Sequence, residues 1–310
     1  MVIELSGYIR QTIVKNNRGF RSFHPFVCFL YYIGAAALVM LSKHPVFLFI
    51  GAIILVGVNI SLDKGKAIRQ WWRMLLFVSL FFLIINPLIN HRGTHILFYL
   101  GQNPIMLEAI IQGVIFSLSL LCLMILFASY NLVITANKFL FLFSKWLPQW
   151  ALLAMLAMRF VPLLNRRLKE IQQVQKGKGL SVTEGPLKLR AKSGIQLVQI
   201  LLTWSLEEAI QTADSMTARG YGIKKRSRYT PYQMRQKDWL ALGYITLLGS
   251  VSIYGWYLGD NVLAINPILE TIGLIGREWF FLLIFVIYIG FPLIIEGREA
   301  FIWHYWNRKM

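Results

Sequence analysis

Long apolar runs are the feature of this chain that most restricts its fold. The chain has 310 residues, of which 56% are hydrophobic, and its mean hydropathy is +0.56. Its apolar runs are long enough, or nearly long enough, to cross a hydrocarbon layer about 30 Å thick. Spans are predicted at about Phe26 to Leu41, Pro45 to Leu62, Trp71 to Ile89, Leu107 to Ser129, Trp239 to Leu258 and Trp279 to Ile295. The pattern predicts an all-α, polytopic membrane protein with about six transmembrane helices.

The distribution of Lys and Arg predicts how the chain is oriented. The connections on one side of the predicted spans carry nearly all of these residues, whereas the opposite side has only Lys43, Arg92 and Arg277. Since cytoplasmic loops of membrane proteins are rich in Lys and Arg, we expect both termini and the basic block 131–237 to be cytoplasmic. The chain then divides into a membrane region of four spans (1–130), a cytoplasmic region (131–237) and a membrane region of two spans with a cytoplasmic tail (238–310). The net charge of +18 is explained by the basic residues expected in cytoplasmic loops, so nucleic acid is not an expected partner.

Several function classes are disfavoured by what the sequence lacks. The middle of each predicted span carries no Asp, Glu, Lys, Arg or His, whereas ion-coupled carriers place ionisable groups there. No GxxxxGK[ST] sequence is present, so the chain itself is not expected to bind or hydrolyse ATP. His91, His95 and Glu108 have metal-ligand chemistry, but the residues between the two histidines predict a turn, which disfavours a metal site. Asn59 and the Asn86-Pro87 pair are interpreted as helix-packing or kink residues.

Two amphipathic helices are predicted inside the cytoplasmic block. The amphipathic pattern of the first extends from about Arg159 to Gly179, and the proline at position 162 predicts that the helix starts near it. The second follows a break at Thr183 to Pro186 and ends at Arg219-Gly220. Its apolar stripe comprises Ile195, Val198, Leu202, Leu206, Ala209, Ala213 and Met216. Both helices thus combine an apolar stripe with a polar face.

Each predicted helix ends in a basic residue followed by glycine. One end is Gly177-Lys178-Gly179 and the other is Ala218-Arg219-Gly220. A cation stabilises the partial negative charge of a helix C-terminus, and glycine ends the helix, so one such end has no functional meaning by itself. The repetition in a membrane protein without its own ATPase indicates a pair of docking elements for separate ATPase subunits. An apolar stripe would fit a groove, and the cation would pair with a carboxylate.

Three segments of this region resemble the T component of energy-coupling-factor (ECF) transporters, a family that includes the cobalt-transport T subunit. They are Arg159 to Leu164, Glu170 to Lys176 and, most specifically, Ala213 to Gly220. The resemblance implies coupling helices that hold one or two ABC ATPase subunits and a small substrate-binding S component in a bacterial or archaeal cell membrane. ATP and Mg would be bound by the partner subunits, with no cofactor on this chain. Closure of the ATPases would shift the two helices, and the S component would reorient to deliver a vitamin or a metal ion such as cobalt.

The resemblance also assigns roles to individual residues. Ala218, Arg219 and Gly220 would couple to one ATPase, and Gly177, Lys178 and Gly179 would couple to the other. Arg159, Pro162, Ala213 and Met216 would support the coupling helices. The first end departs from the Ala-Arg-Gly that the family usually has there. Lysine keeps the charge but lacks the planar fork that pairs with a carboxylate in two places, so we expect a looser contact.

Two other functions fit the sequence less well. A stand-alone channel or secondary carrier would transport its substrate along a gradient with no ATPase present. A membrane-anchored binder of nucleic acid or anionic lipid would use the basic run Lys224 to Arg228, and its binding would weaken steeply with salt.

Overall fold

The computed structural model describes residues 19–90, 95–100, 103–144, 146–179, 186–223, 232–263, 273–274 and 276–307. A short 3-10 turn at Gly19–Ser22 precedes the helices. The helices are α1 (Pro25–Leu41), α2 (Pro45–Asp63), α3 (Lys66–Ile89), α4 (Leu107–Val133), α5 (Ala136–Phe143), α6 (Pro148–Gly177), α7 (Leu187–Ala218), α8 (Gln236–Tyr257), α9 (Glu278–Ile289) and α10 (Phe291–Asn307). The chain forms two compact units: one comprises Met1–Lys138 and Tyr232–Met310, and the other comprises Phe139–Pro231.

The predicted membrane spans correspond to helices of the first unit. Within the described residues, α2, α3, α4 and α8 are long and apolar enough to cross a membrane, and α1 is a shorter apolar helix of 17 residues. The bent pair α9 and α10 could supply one further span. The fold is therefore an all-α, multi-pass membrane architecture, as the apolar runs predict.

The last span differs from its prediction as one straight helix, Trp279 to Ile295. The helix breaks at Gly290, and the two segments are bent by 52°. Pro292 follows in the first turn of the next segment; it has no N–H for the carbonyl of Tyr288, and its ring would clash with that carbonyl in a continuous helix. The change of direction is therefore located at Gly290 to Pro292.

A two-stranded antiparallel hairpin, absent from the predicted elements, lies between α3 and α4. It pairs β1 (Ile96–Leu100) with β2 (Asn103–Met106). The carboxylate of Glu108 accepts hydrogen bonds from the backbone N–H of His95 at 3.1 and 3.4 Å. Glu108 thus closes the hairpin onto the start of α4; His91 lies outside the described residues.

The core of the first unit lies around α2 and α4. Its fully buried side chains include Phe47, Leu55, Cys122 and Phe285. Asn59 is also buried, and its Nδ2 donates to the carbonyls of Leu55 and Ile125, each at 3.1 Å. Since polar side chains join helices inside membranes, these bonds confirm Asn59 as a helix-packing residue.

The 3-10 turn at Gly19–Ser22 is bonded to elements far away in the sequence. The backbone N–H groups of Gly19 and Phe20 donate to the carboxylates of Glu299 and Glu296 on α10, the second at 3.1 Å. The Nζ of the buried Lys138 donates to the carbonyl of Arg21 at 2.8 Å. We call this set of contacts the N-terminal clasp; it joins the beginning of the described chain to α5 and α10.

Candidate functional site

The second unit contains the two helices that the sequence singles out. α6 spans 30 residues and has Pro148 at its first position. The predicted start near Pro162 is wrong, because Pro162 lies inside the helix. Pro162 has no N–H to donate to the carbonyl of Met158, which costs about 3 kcal/mol inside a helix, yet the helix continues through it. The helix therefore starts at Pro148 and includes the apolar run from Trp150 to Met158 that precedes Arg159.

α7 is the longer helix, with 32 residues. Pro186 precedes its first residue in an extended conformation, with φ −65° and ψ 149°. It ends at Ala218, immediately before the predicted stop at Arg219-Gly220. Thr183 to Gly185, the remainder of the predicted break, lie outside the described residues.

The end of α7 forms a Schellman cap. Gly220 has φ +80°, a left-handed conformation that glycine adopts at little cost. Its N–H donates to the carbonyl of Thr217 at 2.9 Å, and the N–H of Tyr221 donates to the carbonyl of Met216 at 3.0 Å. Arg219 is the capping residue, and its side chain is exposed. The cap thus holds the cationic side chain of Arg219 beside the last carbonyls of α7.

The end of α6 has almost the same backbone. Lys178 is the capping residue, with φ −88° and ψ 8°, against −81° and 6° for Arg219. Gly179 has φ +76°, and its N–H donates to the carbonyl of Lys176 at 3.1 Å. Both ends therefore place a cation at the capping position, directly before a left-handed glycine. Lysine replaces arginine at the cap, and Gly177 replaces Ala218 before it.

A contact between a cation and an aromatic ring joins the two helices. The guanidinium of Arg167 lies 5.0 Å from the ring centroid of Trp204 and also forms an ion pair with Glu170 at 2.8 Å. Both charged side chains are about half exposed, at 45% and 49%, so this contact stabilises the pair by about 1 kcal/mol at most. Neither Arg167 nor Trp204 was predicted as a site residue. The sequence shows only that one predicted helix carries a basic residue and the other an aromatic one, which does not reveal that they meet.

An open cleft of about 660 Å³ lies beside this contact. Its walls include Gln175 and Lys178 from α6 and Gln196, Gln199, Trp204 and Glu207 from α7. The Oε1 atom of Gln175 is buried and has no hydrogen-bond partner among the described residues. The capping residue of α6 therefore lies at the edge of a polar cleft.

The predicted apolar stripe of α7 is exposed. Ile195, Val198, Leu202 and Leu206 have exposed fractions of 69%, 55%, 63% and 64%. A different face of the helix is covered: Ser193 and Leu197 are buried, and Trp204 is half-buried. The described residues thus leave the stripe as a long, uncovered apolar surface, which is typical of a binding surface.

The predicted supporting residues lie along both helices. Arg159 and Pro162 are exposed on α6, and Ala213 is exposed near the end of α7. Met216 is half-buried, and its carbonyl accepts the hydrogen bond that completes the cap of α7. Of this set, Met216 has a direct part in the geometry of a helix end.

The part of the chain that contains α6 and α7 is similar in sequence to known proteins. The family model CbiQ, described as a cobalt transport protein, matches residues 21–230, which include both helix ends. The chain is 32% identical over 191 residues to the energy-coupling factor transporter transmembrane protein EcfT of Leuconostoc gelidum subsp. gasicomitatum, over 58% of this chain and 70% of that relative. It is 26% identical over 191 residues to the protein of the same name from Bacillus subtilis, over 58% of this chain and 72% of the relative.

Proposed function

Since the chain belongs to the CbiQ family of cobalt transport proteins, we propose that it is the scaffold and energy-coupling subunit of an ECF-type ABC importer. Proteins of this family are transmembrane components of transporters, and the chain is a multi-pass membrane protein. In the proposed role it links ATP hydrolysis by separate ATPase subunits to movement of a substrate-binding S component. The S component would hold the vitamin or metal ion, and ATP with Mg would be bound by the ATPases.

The matching ends of α6 and α7 are the observation that carries this proposal. Each end presents an exposed cation, Lys178 or Arg219, at the last carbonyls of a helix, followed by a glycine with positive φ. Two equivalent ends suit a pair of similar partners better than a single one. A carboxylate on each ATPase would pair with the cation, and the rigid cap would transmit movement of the ATPase to the helix.

The exposed stripe of α7 supports an S component as the second partner. An S component inside the membrane offers apolar surface, and the stripe offers Ile195, Val198, Leu202 and Leu206 in a row. Burying such side chains stabilises a complex by roughly 25 cal/mol for each Å² removed from water. The stripe and the end at Arg219 both belong to α7, so a shift at that end would reach the S component directly.

A charge reversal at Arg219 tests the proposal. The full chain is co-expressed with the ATPase subunits that co-purify with it, and substrate-dependent ATP hydrolysis is measured in liposomes. We expect Arg219→Glu to abolish coupled hydrolysis while the protein still inserts in the membrane. Lys192→Glu reverses an exposed cation elsewhere on α7 and is the matched control, expected to leave coupling intact. Full coupling in the Arg219→Glu variant would exclude the assigned role.

A further inference from the structure

A cavity of about 600 Å³ lies in the first unit where α2, α3 and α4 meet. Its polar side carries Asp63, Lys66 and Gln70, and its apolar walls include Trp71, Met74 and Phe127. A volume of this size is in the range of sites that bind small molecules, roughly 300–1,000 Å³. One side of the cavity is thus charged and the rest is apolar, which suits an amphipathic ligand.

The path of α3 explains why the cavity exists. Only Lys64 and Gly65 connect α2 to α3, and both are left-handed, with φ +54° and +73°. α3 packs mainly along α4 and has little contact with α2. Among its described residues, α3 has no buried side chain. The helix therefore leans away from α2 and leaves a space behind its first turns.

The charge around the cavity favours an anion. Lys66 is the cation of the lining, and Lys64, Arg69 and Arg73 also lie within ten residues of Asp63 in the sequence, so this stretch carries four cations and one carboxylate. These residues belong to the side of the membrane with most Lys and Arg, where anionic lipid headgroups are attracted to clustered cations. A ligand with a negative headgroup is therefore stabilised there.

The position of the cavity favours a lipid over a protein segment. Trp71 and Trp72 are 52% and 53% exposed at the start of an apolar helix, as expected where a helix leaves the hydrocarbon layer for the headgroup region. A partner helix would have an overall diameter of about 10 Å and would need a continuous groove along α3. A half-open cavity with a polar end at headgroup depth suits one lipid better.

We propose that this cavity binds one anionic phospholipid whose headgroup carries hydroxyl groups, such as phosphatidylglycerol. The phosphate pairs with the Nζ of Lys66, a headgroup hydroxyl donates to the carboxylate of Asp63, and an acyl chain lies along Trp71, Met74 and Phe127. A lipid bound there would fill the space between the first turns of α3 and the neighbouring helices α2 and α4. It is independent of the coupling role of α6 and α7.

Lipid retention by the purified full chain tests this site. The protein is stripped of lipid by detergent exchange and incubated with vesicles of phosphatidylglycerol or of phosphatidylcholine with the same chains. Bound lipid is then counted by native mass spectrometry. We expect one phosphatidylglycerol to be retained and phosphatidylcholine to be retained about fivefold less, since one cation near the headgroup contributes about 1 kcal/mol.

Two variants locate the lipid in the cavity. Lys66→Gln should lower retention of phosphatidylglycerol about fivefold, whereas Lys64→Gln, in the same connection but outside the cavity lining, should change it less than about twofold. Ala128→Trp fills the cavity and should remove retention altogether. Lys66 is exposed, so the Lys66→Gln variant folds normally and decides the test even if Ala128→Trp does not purify.

Three results would overturn the proposal. Equal retention of the two lipids would exclude recognition of the headgroup charge. Displacement of the lipid by inorganic phosphate alone would assign the site to a free anion. An assembled transporter in which a segment of a partner protein fills the cavity would show that the surface is a protein interface.

Discussion

The guanidinium of Arg167 on α6 lies 5.0 Å from the ring centroid of Trp204 on α7. A cleft lies beside this contact. Lys178 lines the cleft, while Arg219 is exposed at the far end of α7. Any movement of one helix against the other changes the distance between Arg167 and Trp204, so this pair reports on the proposed coupling.

A double-mutant cycle measures the strength of that contact. We expect Arg167→Ala and Trp204→Leu to have a coupling energy of about 0.5 kcal/mol in the free energy of unfolding, because both partners are partly hydrated. Arg166→Ala, which removes the exposed preceding cation, is the control and should show no coupling with Trp204→Leu. Equal coupling for both arginines would contradict a specific contact.

The two cations should contribute unequally to coupling. We expect Lys178→Ala to impair coupled ATP hydrolysis less than Arg219→Ala, because lysine cannot pair with a carboxylate through two parallel bonds. Lys178→Arg should raise coupling above the natural level if the facing carboxylate accepts both bonds. The measurement is the ratio of substrate delivered to ATP hydrolysed in liposomes. A larger loss from Lys178→Ala than from Arg219→Ala would refute the expected order.

The glycines at the helix ends should respond oppositely to alanine. Gly179 and Gly220 have positive φ, so an added Cβ should destabilise either cap by about 1 kcal/mol. Gly177 precedes the cap inside the helix, and a Cβ there meets no atom of the described structure within 4 Å. Gly177→Ala should stabilise the end of α6 by up to about 1 kcal/mol through helix propensity. Hydrogen exchange of amides in the last turn of each helix measures these effects.

Acid should destabilise the first unit through His24. Burial lowers the pKa of His24 from 6.5, and the opposing effect of the Asp238 carboxylate is smaller. Since the folded state disfavours the charged form, its contribution is present above the unfolded value of 6.5 and is lost as the pH falls below that value. The Nδ1 of His24 also accepts the N–H of Phe26 at 3.2 Å, which protonation would prevent.

Thermal unfolding across this pH range provides the measurement for His24. The unfolding temperature should fall on acidification in the natural protein. His24→Asn keeps a side-chain acceptor for the N–H of Phe26 but does not titrate, so its unfolding temperature should fall less. An identical pH profile for the two proteins would exclude His24 as the cause.

The apolar runs and the glycine stops could be predicted because their causes are local. A span is recognised by its length and apolar composition, and the ends of α6 and α7 by a glycine after a cation. Asn59 was recognisable because polar residues inside a span usually join helices. These features do not depend on which neighbour packs against them.

The start of α6 and the break at Gly290 depend on longer-range context. Proline is compatible both with the first turn of a helix and with the interior of a long one, so Pro162 alone does not decide between them. Membrane helices also tolerate proline when neighbours satisfy the released carbonyls, so Pro292 is compatible with a straight or a bent span. Tertiary packing makes the choice in both cases.

The covered face of α7 could not be predicted from periodicity. Leu197 and Trp204 recur at helical spacing, as do Ile195, Val198 and Leu202. Both faces therefore qualify as the packed one, and only the structure shows that Leu197 is buried and Trp204 half-buried. α7 thus packs one apolar face within the protein and leaves the other exposed.

The N-terminal clasp has a consequence for biosynthesis. The N–H of Phe20 is made early, but its acceptor on Glu296 is synthesised 276 residues later. Contacts so distant in sequence form late, because a long loop must close before they contribute. The membrane unit can therefore complete its packing only after α10 has left the ribosome, when α6 and α7 have already been synthesised.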